Sequence, residues 1–378
     1  MPLTDWFRRP RPAPDLKASR TGAVVALHVQ GRPRWTPRDY AALAREGIEQ
    51  NPVAYRAVRR IAESAAAVPL LLYAGDAELT DHPLLSLLAR PNPMEAGTDL
   101  RTAFFAHLQT AGNAYLELVE ASGEPRELYA LRPDRMKIVP GAQGWPEAYD
   151  YGSGGETVRF AVPDAPMTGP VLHLKLYHPS DDHYGLSPLE AAAMAIDIHN
   201  AASAWNKALL DNAARPSGAL VFAGGDGAGQ LTDEQFARLK SELEANYQGP
   251  GNAGRPLLLE GGLDWKAMAL TPKDMDFIEA KNTAARDIAL AFGVPPMLLG
   301  IPGDNTYANY AEANRAFWRE TVIPLVARFC DALTAWLAPR YAEPGLRLGF
   351  DADALDALSP DRAALWDRVS AAQFLTDA

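Results

Sequence analysis

Three histidines, His173, His178 and His183, recur every five residues, with Asp181 and Asp182 between the last two. Imidazole and carboxylate bind metals and move protons. Five, however, is neither a helix-face nor a strand-face spacing, and no H-x-x-x-H or H-x-H pattern is present. The residues read better as a polar loop, Pro179-Ser180-Asp181-Asp182, ahead of a helix. The glycine run Gly224-Gly225-Asp226-Gly227-Ala228-Gly229 lies between an expected strand and an expected helix, where phosphate could sit on a helix N-terminus. Its spacing departs from G-x-G-x-x-G, the helix starts only after Leu231 and Thr232, and no second βαβ unit follows. A surface loop fits better. No G-x-x-x-x-G-K-[ST] and no G-x-S-x-G is present, which excludes a P-loop motor and the commonest serine-hydrolase signature. The single cysteine, Cys330, excludes an internal disulfide and a cysteine-rich metal site. It reads as a small buried apolar residue.

The elements that must hold these residues differ between the two halves. From Asn51 an amphipathic helix is expected, with Val53, Val58 and Ile61 at helical spacing and a stop at Pro69. A strand over 68–73, a short helix from His82 to Leu88 and a helix over 99–110 follow. Strands are expected at 114–120, 127–131, 136–139 and 171–177, between Gly and Pro clusters. Ser187-Pro188-Leu189-Glu190 is a capping box with proline at the first helical position. It predicts a helix to about residue 213, with Met194, Ile198, Ala201, Trp205 and Leu209 on one face. Asn200, Ser203, Lys207 and Asp211 fall on the other. A compact insert comes next, with strands at 219–222, 256–260 and 264–268 and a helix at 231–247. A second capped helix opens at Thr271-Pro272 and ends at Gly293. Its apolar face is Met275, Ile278, Ala285, Ile288 and Phe292; Asp276, Glu279, Thr283 and Asp287 lie opposite. A loop around Gly303 precedes a long helix over 308–337, which Pro324 should kink. A short strand and a helix near 360–374 close the chain. The fold class is α+β.

With 48% apolar residues the chain can build a real core. No continuous apolar run reaches the roughly 20 residues of a membrane span, so no membrane partner is expected. Residues 1–45 form an Arg- and Pro-rich arm without the apolar core of a signal peptide. One cysteine suits folding in a reducing cytoplasm. Net charge is −11. A sequence-specific DNA reader would carry a basic surface, because phosphate contacts dominate its affinity. This chain either never meets DNA or meets it without gripping it.

The order of motifs resembles the phage portal family of long-tailed phages, prophages and gene transfer agents. The matching stretches are His82-Pro83-Leu84 through Pro91-Asn92-Pro93, Gly112-Asn113-Ala114-Tyr115, Gly185-Leu186-Ser187-Pro188-Leu189 and Arg215-Pro216-Ser217-Gly218. Asp276-Phe277, Phe292-Gly293-Val294-Pro295-Pro296 with Leu299-Gly300, Thr306-Tyr307-Ala308-Asn309, and Phe317 ahead of Pro324 complete the set.

The resemblance implies a ring, usually dodecameric, at one capsid vertex, with no catalytic residues and no cofactor. It implies an arm (1–45), a wing (46–186), a first stem helix (187–213), a clip (214–271) and a second stem helix (272–295). A tunnel loop (296–308), a kinked helix at the base of wing and crown (309–350) and a short crown (351–378) follow. The implied partners are further copies of the chain, a head–tail adaptor, a terminase, the major capsid protein and double-stranded DNA passing without sequence specificity. Gly303, Asp304, Asn305, Thr306 and Tyr307 of the tunnel loop would approach DNA most closely. Asp276, Glu279 and Asp287 would line the channel. Glu234, Arg238, Lys240, Glu242 and Glu244 of the clip would meet adaptor and terminase. The rival readings are a soluble α/β nucleotide-binding enzyme using the glycine run and a non-ring capsid or scaffold component.

Overall fold

The computed structural model describes residues 36, 40–141, 144–163, 165–211, 218–222, 263–267, 277–303 and 307–372, with 232, 234, 237, 238 and 241 as single positions. The chain divides into two compact units. The smaller contains Lys207–Thr271, and the larger Trp35–Asn206 and Pro272–Ala378.

In the larger unit α1 (Tyr40–Leu43) runs into a π-helical turn, Ala44–Glu49. α2 (Pro52–Ala67) starts where the sequence predicts. Asn51 Oδ1 accepts from the N–H groups of Val53 and Ala54, and Pro52 occupies a position that needs no donor. β1 (Leu70–Ala74), β2 (Ala77–Leu79), α3 (Pro83–Ala89) and α4 (Gly97–Ala111) follow. Six strands come next: β3 (Asn113–Ala121), β4 (Glu124–Leu131), β5 (Met136–Pro140), β6 (Pro146–Ser153), β7 (Glu156–Ala161) and β8 (Val171–Lys175). β6 and β7 are absent from the sequence expectation, which places only Gly and Pro clusters between β5 and β8.

α5 (Pro188–Ala191) and α6 (Ala193–Asp211) replace the single helix expected from Ser187. Ser187 Oγ accepts from Leu189 N–H, as a cap should, and also donates back to the carbonyls of Gln109 and Thr110. The smaller unit holds β9 (Gly218–Phe222) paired antiparallel with β10 (Leu263–Ala267). The expected strand at 256–260, the cap at Thr271 and most of the expected helix at 231–247 lie outside the described residues. α7 (Phe277–Ala291), α8 (Tyr307–Ala316), α9 (Ile323–Leu337), β11 (Leu346–Phe350) and α10 (Ser359–Ser370) complete the larger unit.

Around Pro324, where a kink is expected, the helix changes its winding. A π-helical segment, Phe317–Val322, joins α8 to α9, and Pro324 lies in the first turn of α9. The wider π turn takes up the donor that proline cannot supply and the room its ring needs. The span from Ala308 to Arg340 is long and apolar enough to cross a membrane by length and composition. Continuous-run counting misses this because polar residues interrupt it. Leu325, Val326, Phe329, Leu333 and Trp336 of that span are buried in the core instead.

The sheets in the larger unit are β11-β1-β2, β4-β3-β8 and β5-β6-β7, all antiparallel. β1 and β11 pair ends of the unit far apart in sequence, with Leu72 opposite Leu348. The core is continuous from α2 and α4 to α9. Phe104 and Phe105 meet Phe329 with ring centroids 5.0 and 5.1 Å apart. Trp336 is fully buried and donates from Nε1 to Gly169 O at 2.8 Å. Cys330 is buried as expected, and burial pushes its thiol up to about 12. The native chain at pH 8 should therefore resist iodoacetamide and react only once unfolded; mass spectrometry of the alkylated protein reads this directly.

Candidate functional site

The second helix with an expected role is α7. Ala284, Ala285, Ile288, Ala289 and the following Phe292 face the core. Glu279 and Asp287 are exposed, and neither carboxylate has an ion-pair partner among the described residues. Asp276 lies outside the described residues. Arg286 and Leu290 share the exposed face, so it is acidic in balance without being purely so. Ile278, expected on the inner face, is 77% exposed instead. The inward stripe consists of the small residues Ala284, Ala285 and Ala289 with Ile288, which allow close approach to α2 and α5; Ile278 points away from it.

Gly293 ends α7 in the left-handed region at φ +64. Its N–H bonds Leu290 O, and Val294 N–H reaches back to Ala289 O, so the last carbonyls are satisfied. The connection that follows is anchored twice. Thr321 Oγ1 donates to Gly293 O at 2.6 Å, and Arg286 Nη2 donates to Pro302 O at 2.8 Å. Gly303 is exposed just beyond this anchor. Asp304, Asn305 and Thr306 lie outside the described residues, and Tyr307 begins α8. In the smaller unit Glu234 and Arg238 are exposed helical residues. Lys240, Glu242 and Glu244 lie outside the described residues, as does the glycine run 224–229.

On α6 the buried face is neither of the two expected: Ala195, Ile196, His199 and Ala202 are buried, and Lys207 of the expected polar face stays exposed. Met194, Ile198 and Trp205 are exposed, at 63, 41 and 38%. His199 is buried and Asn200 half-buried. The reason is a remote partner. Asn51 Nδ2 reaches His199 Nδ1 at 3.2 Å and Asn200 Oδ1 at 2.9 Å, and Asn200 Nδ2 donates to Glu46 O. Burying polar groups this way is tolerated because each is bonded. Burial, followed by the nearby Lys281, lowers the pKa of His199. The stripe left outside is apolar and exposed.

The three periodic histidines have separate structural tasks. His173 Nε2 donates to Asn113 Oδ1 at 2.9 Å, and its ring stacks on Tyr115 at 4.3 Å. His178 Nδ1 accepts from Ser180 N–H. Asp181 Oδ1 accepts from the N–H groups of His183 and Tyr184. Among the described residues no three His, Cys, Asp or Glu gather as a metal group. Sequence reading missed Asn113 as a hub. Asn113 also accepts from Gly185 N–H and donates to the carbonyls of Ala111 and Gly185, tying the end of α4 to the start of α5. The Gly-Asn pair after a helix was the available signal.

The phage portal protein family profile matches residues 52–378. The chain belongs to the phage portal protein family. It is thus a member of a family of structural proteins, not of enzymes. It is 54% identical to a chain in a structure described as the neck of a native gene transfer agent particle computed with C12 symmetry. That similarity covers 92% of this chain and 93% of the other, with a TM-score of 0.69. An uncharacterized protein of Rickettsia bellii is 45% identical over 88% of this chain and 85% of its own length. The portal protein of Enterobacteria phage HK97 is 25% identical over 89% of this chain and 77% of its own length.

Proposed function

We propose that twelve or so copies of this chain form a ring in the neck of a phage-like particle, a conduit through which double-stranded DNA is packaged and released. The 54% identity to a chain of a gene transfer agent neck, over nearly the whole length, carries this reading. Ring closure needs a head-to-tail interface, in which two different surfaces of the chain meet. The exposed stripe Met194, Ile198 and Trp205 on α6 is one candidate surface; Ile278 on α7 is the other. Burying these side chains between copies would remove apolar area that the isolated subunit leaves in water.

The segments keep their proposed roles: wing 46–186, stem helices 187–213 and 272–295, clip 214–271, tunnel loop 296–308, kinked helix 309–350 and short crown 351–378. Asp276, Glu279 and Asp287 would form acidic rings along the channel. Repeated carboxylates repel phosphate, so DNA would slide without sticking. Gly303 to Tyr307 would be the closest approach to DNA. The clip, through Glu234, Arg238, Lys240, Glu242 and Glu244, would dock the head–tail adaptor and, during packaging, the terminase. The wing would meet the major capsid protein.

Imaging of purified assemblies tests the ring and its lining together. A closed ring with Glu279 and Asp287 facing the hole is expected. Rings carrying both Glu279→Lys and Asp287→Lys should retain double-stranded DNA at low salt in a gel shift, and lose it as salt rises. Sheets, shells or filaments, or a ring with α7 carboxylates buried between subunits, would contradict the proposal.

A further inference from the structure

A cleft of about 340 Å3 opens beside the start of α5, in the larger unit. Tyr40, Tyr115, Tyr184, Asp181 and Glu190 are among the residues that line it. Tyr115 is only 1% exposed, yet its hydroxyl has no hydrogen-bond partner among the described residues. The hydroxyl is not among the fully buried unpartnered atoms, so it opens to the cleft, where the donor of a ligand can meet it. The Tyr40 hydroxyl is likewise unpaired there. Burial raises the pKa of both phenols, so each stays protonated and offers lone pairs to a donor.

The charges around the cleft are unbalanced. Asp181 has one carboxylate oxygen engaged by the backbone of its own turn. Glu190 makes no ion pair and, contrary to the capping-box expectation, no bond back to Ser187 N–H among the described residues. The neighbouring cation, Arg132, is held by both oxygens of Asp134. The cleft thus combines aromatic walls, unpaired acceptors and the Glu190 carboxylate, with the imidazoles of His178 and His183 beside Asp181. That set complements a planar cation carrying several N–H donors.

We infer that the cleft binds a guanidinium group, the head of an arginine side chain. The group stacks against tyrosine and donates to the Tyr115 hydroxyl and the Glu190 carboxylate. A compact ammonium would satisfy the carboxylate but could not reach both acceptors from one flat face. The arginine comes either from a neighbouring copy of this chain or from another polypeptide.

Calorimetric titration of the purified full chain with L-argininamide tests this, with neutral L-citrullinamide as the matched control. Argininamide should bind at least fivefold more tightly than citrullinamide. Tyr115→Phe and Glu190→Gln should each weaken it by roughly tenfold, the worth of one charge-assisted hydrogen bond. Because its hydroxyl is unpaired in the chain, Tyr115→Phe should keep or raise the thermal midpoint, which separates lost binding from lost fold. Glu156→Gln, at an exposed position of β7 outside the cleft lining, should bind as the native chain does. Equal binding of the two amides, or native-like binding by both cleft variants, would overturn the inference. The assembled ring distinguishes the sources: a ring closed to argininamide means a neighbouring copy supplies the arginine, and an open one means the arginine comes from outside the ring.

Discussion

Gly185→Ala should lower the thermal midpoint of the full chain by roughly 10 °C, corresponding to about 3–5 kcal/mol. A Cβ built on Gly185 would stand 2.1 Å from Gly112 O and 2.6 Å from Leu176 N. Both are backbone atoms, and they are bonded to each other, Leu176 N–H to Gly112 O at 2.8 Å. Nothing at the end of a flexible side chain can move aside, so the methyl must separate α4 from the strand and turn packed on it. Asn113 would then lose the Gly185 N–H it accepts from. Gly152→Ala is the matched control. Its Cβ meets only Arg135 O, at 3.8 Å, in an ordinary strand conformation, and its midpoint should move little. Differential scanning calorimetry of the two variants beside the native chain gives the answer. A Gly185→Ala midpoint within 2 °C of native would show that the junction yields more easily than close packing allows.

Acid should weaken the fold well before the carboxylates titrate. Burial, followed by Arg132, lowers the pKa of His107 to about 4. Burial, followed by Lys175, lowers that of His173 to about 3. The unfolded chain takes up these protons near pH 6.5, while the folded chain refuses them until pH 3–4. Stability is therefore whole above about pH 6.5 and falls continuously as pH drops toward those values. Each histidine can cost about 1.4 kcal/mol per pH unit in that window. Both rings keep an edge at the surface, so the combined loss between pH 7 and pH 5 should be about 2–3 kcal/mol, below the full figure. Urea unfolding across that range measures it. His173→Gln, which still offers Asn113 a donor, should flatten the slope by about half. An unchanged slope in that variant would remove His173 from the account.

Much of the local structure is legible in the sequence. Asn51-Pro52 and Ser187-Pro188 mark helix starts because a capping oxygen followed by proline solves the problem of unpaired N–H groups without outside help. Gly112 and Gly293 mark helix ends because each holds a left-handed conformation that side chains resist. The portal resemblance was also readable, since it rests on the order and spacing of such local signals. Legibility fails where a residue's environment comes from elsewhere. β6 and β7 lie in a stretch punctuated by glycines, and pairing of β6 with β5 and of β7 with β6 makes them a sheet. Ile278 counts as core by helical spacing, yet the alanines beside it are what α2 and α5 pack against.

The acidity, the α+β class and the motif order that identifies a portal protein were determined by the sequence alone, because each is a property of composition or of residues close along the chain. Only the tertiary structure decided which side of α6 faces inward. Counting apolar positions places Met194, Ile198 and Trp205 inside, because spacing says nothing of partners. Asn51 arrives from 148 and 149 residues away to bond His199 and Asn200. With those polar groups satisfied, the helix can bury them and leave Met194, Ile198 and Trp205 at the surface.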